Sequence, residues 1–177
     1  MVESRSEFEE EYDSFLVGDD QRITGTALLG KRIQHLEPAP AKCLAPEVTV
    51  REAVDLMREH GFGCVLVVED KELVGIFTER DVLLKCLDGS ADLDRLTLSD
   101  VMTPSPETVS KTAGIAYALN AMHTGGYRHI PVEGEDGSWS VVSVRDIVSW
   151  VVDLFPNAVL NLPPDEELRE PEKETGG

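Results

Sequence analysis

Val74-Gly75-Ile76-Phe77-Thr78-Glu79-Arg80-Asp81-Val82 is a short apolar run ending in a hydroxyl residue, with an acid three positions on, where a helix can begin. The pattern returns as Trp139-Ser140-Val141-Val142-Ser143-Val144-Arg145-Asp146-Ile147. Asp81 and Asp146 are 65 residues apart, and that shift holds without a gap back to Cys43 and Thr108. Most of the chain is therefore one unit written twice.

Outward from this stretch, the first unit reads as strand, helix, strand, strand, helix. Val50, Ala53, Val54 and Met57 mark one face of a helix, with Thr49 and Glu52 spaced as a capping box and Gly61 as a left-handed stop. Cys64 to Val68 suits a buried strand, Glu69 to Glu72 a turn, and Leu73 to Phe77 the returning strand. A second helix is expected from Thr78, with Val82, Leu83 and Cys86 inward, breaking at Asp88-Gly89-Ser90. Residues 89–98 read as a polar linker. Ile115, Ala118, Leu119 and Met122 repeat the helix face, Gly126 matches Gly61, and His129-Ile130-Pro131-Val132 matches the first strand. Trp139 to Val142 is the second strand, and the last helix runs from Asp146 to Phe155, where Pro156 stops it. Each unit alone buries too little surface to be stable, so paired sheet faces sharing one core are expected.

The 177 residues are 41% apolar and carry a net charge of −18. Residues 1–20 hold eight acids against Arg5, and residues 165–177 hold six against Arg169 and Lys173. Such a surface repels nucleic acid and anionic membrane, and an anionic ligand would need a local basic pocket. The acidic ends read as solvated segments, or as partner-binding ones. No apolar run is long enough to span a membrane, and Met1-Val2-Glu3-Ser4-Arg5 does not open a secretory signal. Cys43, Cys64 and Cys86, an odd number without paired spacing, read as reduced, mostly buried thiols of a cytoplasmic protein, and four scattered histidines give no metal cluster. The motifs G-x-S-x-G, G-x-x-x-x-G-K-[ST], H-E-x-x-H and G-x-G-x-x-G are absent, so no enzyme is expected. Residues 23–42, with Pro38-Ala39-Pro40, read as an extended lead-in that packs on the first unit.

Gly75-Ile76-Phe77-Thr78-Glu79-Arg80-Asp81, Asp100-Val101-Met102-Thr103-Pro104 and Tyr127-Arg128-His129-Ile130-Pro131-Val132 together resemble the cystathionine-β-synthase (CBS) domain as a tandem pair, the Bateman module. The likeness runs from about 34 to 155, and the chain looks like prokaryotic proteins that are little more than one such pair. It implies an α/β fold of two pseudo-symmetric β-α-β-β-α repeats packed through their sheets: a lead-in at 1–33, repeats at 34–90 and 97–156, and a tail at 157–177. It also implies a regulatory sensor, commonly a homodimer. Such a module binds AMP, ADP or ATP between the repeats, or less commonly S-adenosylmethionine or NAD(H), and answers by changing shape or partner. The alternative is a dimerising interaction scaffold without a small ligand.

The resemblance places ribose-binding carboxylates at Asp81 and Asp146. An ionised carboxylate can accept from both vicinal hydroxyls. The same spacing, Thr78 to Asp81 and Ser143 to Asp146, is also a helix-start signature, and one Asp can serve both roles. Thr78 and Ser143 could cap the helix and touch ribose or phosphate. Ile76-Phe77, Val141-Val142, Cys43-Leu44 and Thr108-Val109 would line the base. Arg128 and His129 are candidate phosphate ligands, or a surface ion-pair residue and a satisfied strand residue. Their counterparts Gly63 and Cys64 are neutral, so the two sites should differ. Arg80 and Arg145 point to phosphate or pair with local acids. Pro131 marks a strand edge or a ligand-facing position. Lys42 reads as solvated, and Trp139 as core. A Cys64–His129 pair across the pseudo-axis is conceivable, although a Cys in an apolar run is usually inert packing.

Overall fold

The structure, a computed structural model, describes residues 30–86 and 92–154, excluding the side chain of Leu154. Residues Ile23–Ile147 form one compact unit, and Val148–Leu154 are the described part of a second. In chain order, β1 (Cys43–Leu44), α1 (Val50–His60), β2 (Cys64–Glu69) and β3 (Glu72–Thr78) lead into α2 (Glu79–Asp81), which continues as a π-helical turn over Val82–Cys86. Then follow α3 (Leu98–Val101), β4 (Thr103–Pro104), β5 (Val109–Ser110), α4 (Ile115–Gly125), β6 (His129–Glu133), β7 (Trp139–Ser143) and α5 (Val144–Leu154). One sheet has the order β1-β2-β3-β4 and the other β5-β6-β7.

Local chemistry starts and stops α1 as the sequence predicts. The Thr49 amide donates to Glu52 Oε2 at 3.1 Å, the Glu52 amide returns to Thr49 Oγ1 at 3.3 Å, and Gly61 closes the helix at φ 68°. Gly126 closes α4 with the same φ. Val50, Ala53 and Met57 on α1 bury against Val65, Val67 and Phe77 of the sheet. Phe77 is fully buried, which stabilises the fold by about 1.5–3 kcal/mol. The other face of the same sheet meets the second repeat: Cys64, Leu66 and Ile76 cluster with Trp139 and Val141. The two repeats therefore pack through their sheets, as an α/β pair.

The repeats exchange their opening segments. Leu98, 65 residues after Ile33, lies in the first repeat's core with Val101. Its amide donates to the Val48 carbonyl at 2.9 Å, and Ser99 donates to Pro46. In the second repeat the Ile33 amide donates to Ala113 at 2.9 Å and Gln34 to Lys111, at positions 65 residues on. Bridges Thr49↔Thr97 and Arg32↔Gly114 complete the symmetry. Strand β4 pairs with β3 at Gly75↔Pro104, and Pro40 bridges Ser140.

Several expectations are corrected. The lead-in packs on the second repeat rather than the first, because Ile33 fills that core with no exposed surface. The 89–98 stretch is not simply a polar linker, since Leu93 and Leu96 pack against the first core. Leu83 is 65% exposed rather than inward: the wide π turn leaves Cys86 inside and swings Leu83 and Leu84 out. The cysteines are mostly buried, as expected: Cys64 and Cys86 are, and Cys43 is exposed. Strand β6 lies between β5 and β7, so Pro131 is not on an edge strand. In the first repeat the equivalent Leu66 amide donates to the Lys42 carbonyl at 2.9 Å, a bond that proline cannot make. Accordingly β5 pairs with β6 only from Val109↔Val132 onward, whereas β1 already pairs at Cys43↔Leu66. The predictions for the acidic ends, the break at Asp88-Gly89-Ser90 and the stop at Pro156 lie outside the described residues.

Candidate functional site

Of the sequence-predicted residues, Ser143, Asp146 and His129 come together at the end of β7. His129 and Ser143 face each other across the β6–β7 pair, as Cys64 and Thr78 do across β2–β3. Directly opposed residues of an antiparallel pair share a face, so Ser143 and His129 stand together. The next link closes with the Val144 amide donating to the Arg128 carbonyl at 3.0 Å.

Three hydroxyl-x-x-Asp boxes occur among the described residues, and they bond alike. Oδ2 of Asp81 accepts from the Thr78 amide at 2.9 Å and from its hydroxyl at 2.7 Å. Oδ2 of Asp146 accepts from the Ser143 amide and hydroxyl, both at 2.7 Å. Oδ2 of Asp100 does the same with Thr97, at 2.9 and 2.6 Å. Because the third box caps α3 outside both repeat-matched positions, this half of the pattern is helix-start chemistry. The second oxygen tells the boxes apart. Oδ1 of Asp81 meets Lys85 Nζ at 2.7 Å and accepts from the Thr103 hydroxyl at 3.4 Å, and the residue is 7% exposed. Asp146 is exposed, and its Oδ1 has no partner among the described residues.

His129 sits between opposing influences. Burial and the Arg128 charge push its pKa below the ordinary imidazole value, while Glu79 and Asp146 pull it back up. A Cβ on Gly63 would lie only 2.8 Å from His129 Nε2, so the ring occupies the space that glycine leaves. Cys64, at the position equivalent to His129, is pushed up to about 12 by burial and then by Asp146 and Glu79, which keeps it a thiol. That environment fits packing rather than a nucleophile.

The arginines separate. Arg80 does not pair with a local acid; its Nη1 donates to the Gly126 carbonyl at 2.9 Å, at the end of α4. Arg145 and Arg128 are exposed, and their side chains make no hydrogen bond or ion pair among the described residues. Val109 is 5% exposed on β5, and Pro131 is buried on β6. Lys42 Nζ lies 5.9 Å from the centre of the Phe62 ring, where the second repeat has Glu107 accepting from the Tyr127 hydroxyl at 2.7 Å. The matched positions thus carry opposite charge. Gly25 to Lys31 carries the spacing of a phosphate-binding loop as far as the lysine, but Arg32 stands where that loop needs Ser or Thr. Sequence reasoning missed Lys85 and Thr103. The i,i+4 spacing of Asp81 and Lys85 was the signal for the first; the second comes from a segment that folds back.

This arrangement belongs to the CBS-domain family, whose model, described as CBS domain, matches residues 37–88 and 98–153. A CBS-domain containing protein from Agrobacterium tumefaciens, known as a crystal structure, is 27% identical with a TM-score of 0.61, over 68% of this chain and 99% of that one. A CBS domain protein from Pyrobaculum aerophilum, solved in complex with AMP, is 24% identical with a TM-score of 0.61, over 70% of this chain and 98% of that one. At that identity the likeness concerns the fold alone. The CBS domain-containing protein CBSCBSPB5 of Arabidopsis thaliana is 35% identical over 92 residues, 52% of this chain and 16% of that protein. The chain therefore spans a small part of that relative's length. No helix among the described residues is long and apolar enough to cross a membrane.

Proposed function

We propose that this chain is a regulatory module that binds an adenine nucleotide (AMP, ADP or ATP) at the end of β7. The observation that carries the reading is Asp146, an exposed residue: Oδ2 is held by Ser143, and Oδ1 has no partner among the described residues. An anchored carboxylate with a free oxygen suits the two hydroxyls of a ribose. Arg128, without an ion-pair partner among the described residues, supplies positive charge for phosphate, and Arg145 adds to it. His129 and Ser143 shape the same corner, while Val109 and Pro131 give apolar contact to the base. The AMP held by the Pyrobaculum neighbour is in keeping with an adenosyl ligand.

Ligand binding shifts the population between two settings of the module, and the output is a change in shape or partner binding rather than turnover. The protonated Cys64 is consistent with a non-catalytic role. The exposed Leu83 and Leu84 favour a homodimer, and the protein is read as cytoplasmic. Isothermal titration with AMP, ATP, S-adenosylmethionine and NADH, repeated on Asp146→Asn, tests the reading. Micromolar binding of one adenine nucleotide, lost in the variant, is expected. Silence toward all four by a folded protein would replace this reading with that of a dimerising scaffold.

A further inference from the structure

The two pseudo-equivalent carboxylates differ in what already occupies them. A carboxylate offers about four lone-pair sites. At Asp81 the Thr78 amide and hydroxyl take the two on Oδ2, while Lys85 Nζ at 2.7 Å and the Thr103 hydroxyl at 3.4 Å take the two on Oδ1. The Lys85 ammonium is anchored in turn: it also donates to the Val101 carbonyl at 2.6 Å and the Met102 carbonyl at 3.4 Å. Its three protons therefore meet three acceptors. At Asp146 only Oδ2 is engaged among the described residues. The residue 65 positions after Lys85 is Trp150, which carries no charge.

We infer that Lys85 reserves Asp81 as an internal ion pair, so that the chain takes one ribose-bearing ligand, at Asp146, and Lys85 is the residue that closes the other site. The inference rests on the ligand reading above and adds the stoichiometry and its cause. A diol arriving at Asp81 has to displace a charge-assisted bond from a nearly buried carboxylate and compete with the Thr103 hydroxyl for the same oxygen. At Asp146 the same diol finds an open oxygen and displaces no protein group. The exchange of segments builds the block, because Thr103 and the Val101 and Met102 carbonyls all come from the α3–β4 segment that folds back onto the first sheet.

The test is a calorimetric titration with AMP on the whole chain. One AMP per chain is expected for the natural sequence, with affinity falling about tenfold or more in Asp146→Asn. Lys85→Met, which keeps the stem and removes the charge, should raise the stoichiometry to two, and adding Asp81→Asn should return it to one. Lys85→Gln repeats the experiment if the methionine variant does not fold. Two AMP per chain in the natural sequence, with binding at Asp146 intact, overturns the reservation but leaves the nucleotide reading standing. So does a lysine variant that stays at one, or one that binds more weakly because Lys85 serves the phosphate instead. No AMP binding in any variant overturns both.

Discussion

Arg80, on the first turn of α2, donates through Nη1 to the Gly126 carbonyl at 2.9 Å, so a side chain of the first repeat closes the helix end of the second. Carbonyls at a helix C-terminus lack intrahelical donors, and a guanidinium there also opposes the helix dipole. Arg80→Ala should cost about 0.5–1 kcal/mol, the modest value of an exposed hydrogen bond. Arg145→Ala, at the matched position without a partner among the described residues, should change ligand-free stability by less than about 0.5 kcal/mol. Paired urea titrations of the two variants decide it; equal effects would contradict the assigned cap.

Gly63 is constrained by its neighbour rather than by its backbone. A methyl there falls 2.8 Å from His129 Nε2 and 3.0 Å from Cε1. Gly63→Ala should destabilise by about 1–3 kcal/mol, the cost of overpacking. His129→Ala should remove most of that penalty, so the two changes will be strongly non-additive in a double-mutant cycle. Additive effects would place the strain elsewhere.

Ile33 has no exposed surface and hydrogen-bonds into the second repeat. Ile33→Ala should cost about 2–5 kcal/mol. Loss of hydrogen-exchange protection should centre on Ala118 and Met122 of α4 rather than on α1. For Leu98→Ala the pattern reverses, with Ala53 and Met57 of α1 losing protection first. Protection lost next to each mutated residue in sequence, instead of in the opposite repeat, would refute the exchange.

Burial, and then the Arg128 charge, lower the His129 pKa from its ordinary 6.5. The unfolded chain then binds more protons than the folded one between the lowered value and 6.5, so stability rises with pH through that window. Above 6.5 the contribution is complete, and it is lost as the pH falls toward the folded value. Denaturant midpoints measured from pH 7.5 downward should therefore decline more steeply in the natural protein than in His129→Gln. Identical slopes would mean that the imidazole does not titrate differently in the two states.

Cys64 behaves oppositely, because its folded pKa of about 12 exceeds the ordinary 9.0. Its contribution is intact below 9.0 and is lost as pH rises toward 12. At pH 8 iodoacetamide should label the exposed Cys43 well before the buried Cys64 or Cys86, as peptide mass mapping would reveal. Labelling of Cys64 at a comparable rate would indicate that the sheet interface opens readily.

What the sequence made legible was local. The Thr49–Glu52 box, the left-handed Gly61 and Gly126, and the strand pair flanking Asp70-Lys71 depend on neighbours a few residues away. That Ser143 faces His129 as Thr78 faces Cys64 follows from the repeat register, whereas the place of Arg128 beside them came only from the family resemblance. The partners of Arg80 and the destination of Ile33 were not legible, because each depends on which repeat supplies a carbonyl or a core vacancy far along the chain. Lys85 lay between these cases: its spacing to Asp81 was visible, but its commitment required the carbonyls of Val101 and Met102.

The exchanged segments also set a timetable for synthesis. A chain emerges from the ribosome at about 5–20 residues per second, and its domains fold as units once complete. The first repeat is not complete when Cys86 appears, since Leu98 and Val101 of its core and the strand at Thr103–Pro104 are still to come. Ile33, made long before, has no core to enter until Ile115 and Ala118 have been added. The first repeat thus waits for the opening segment of the second, and Ile33 waits longer still, until the second repeat has been made.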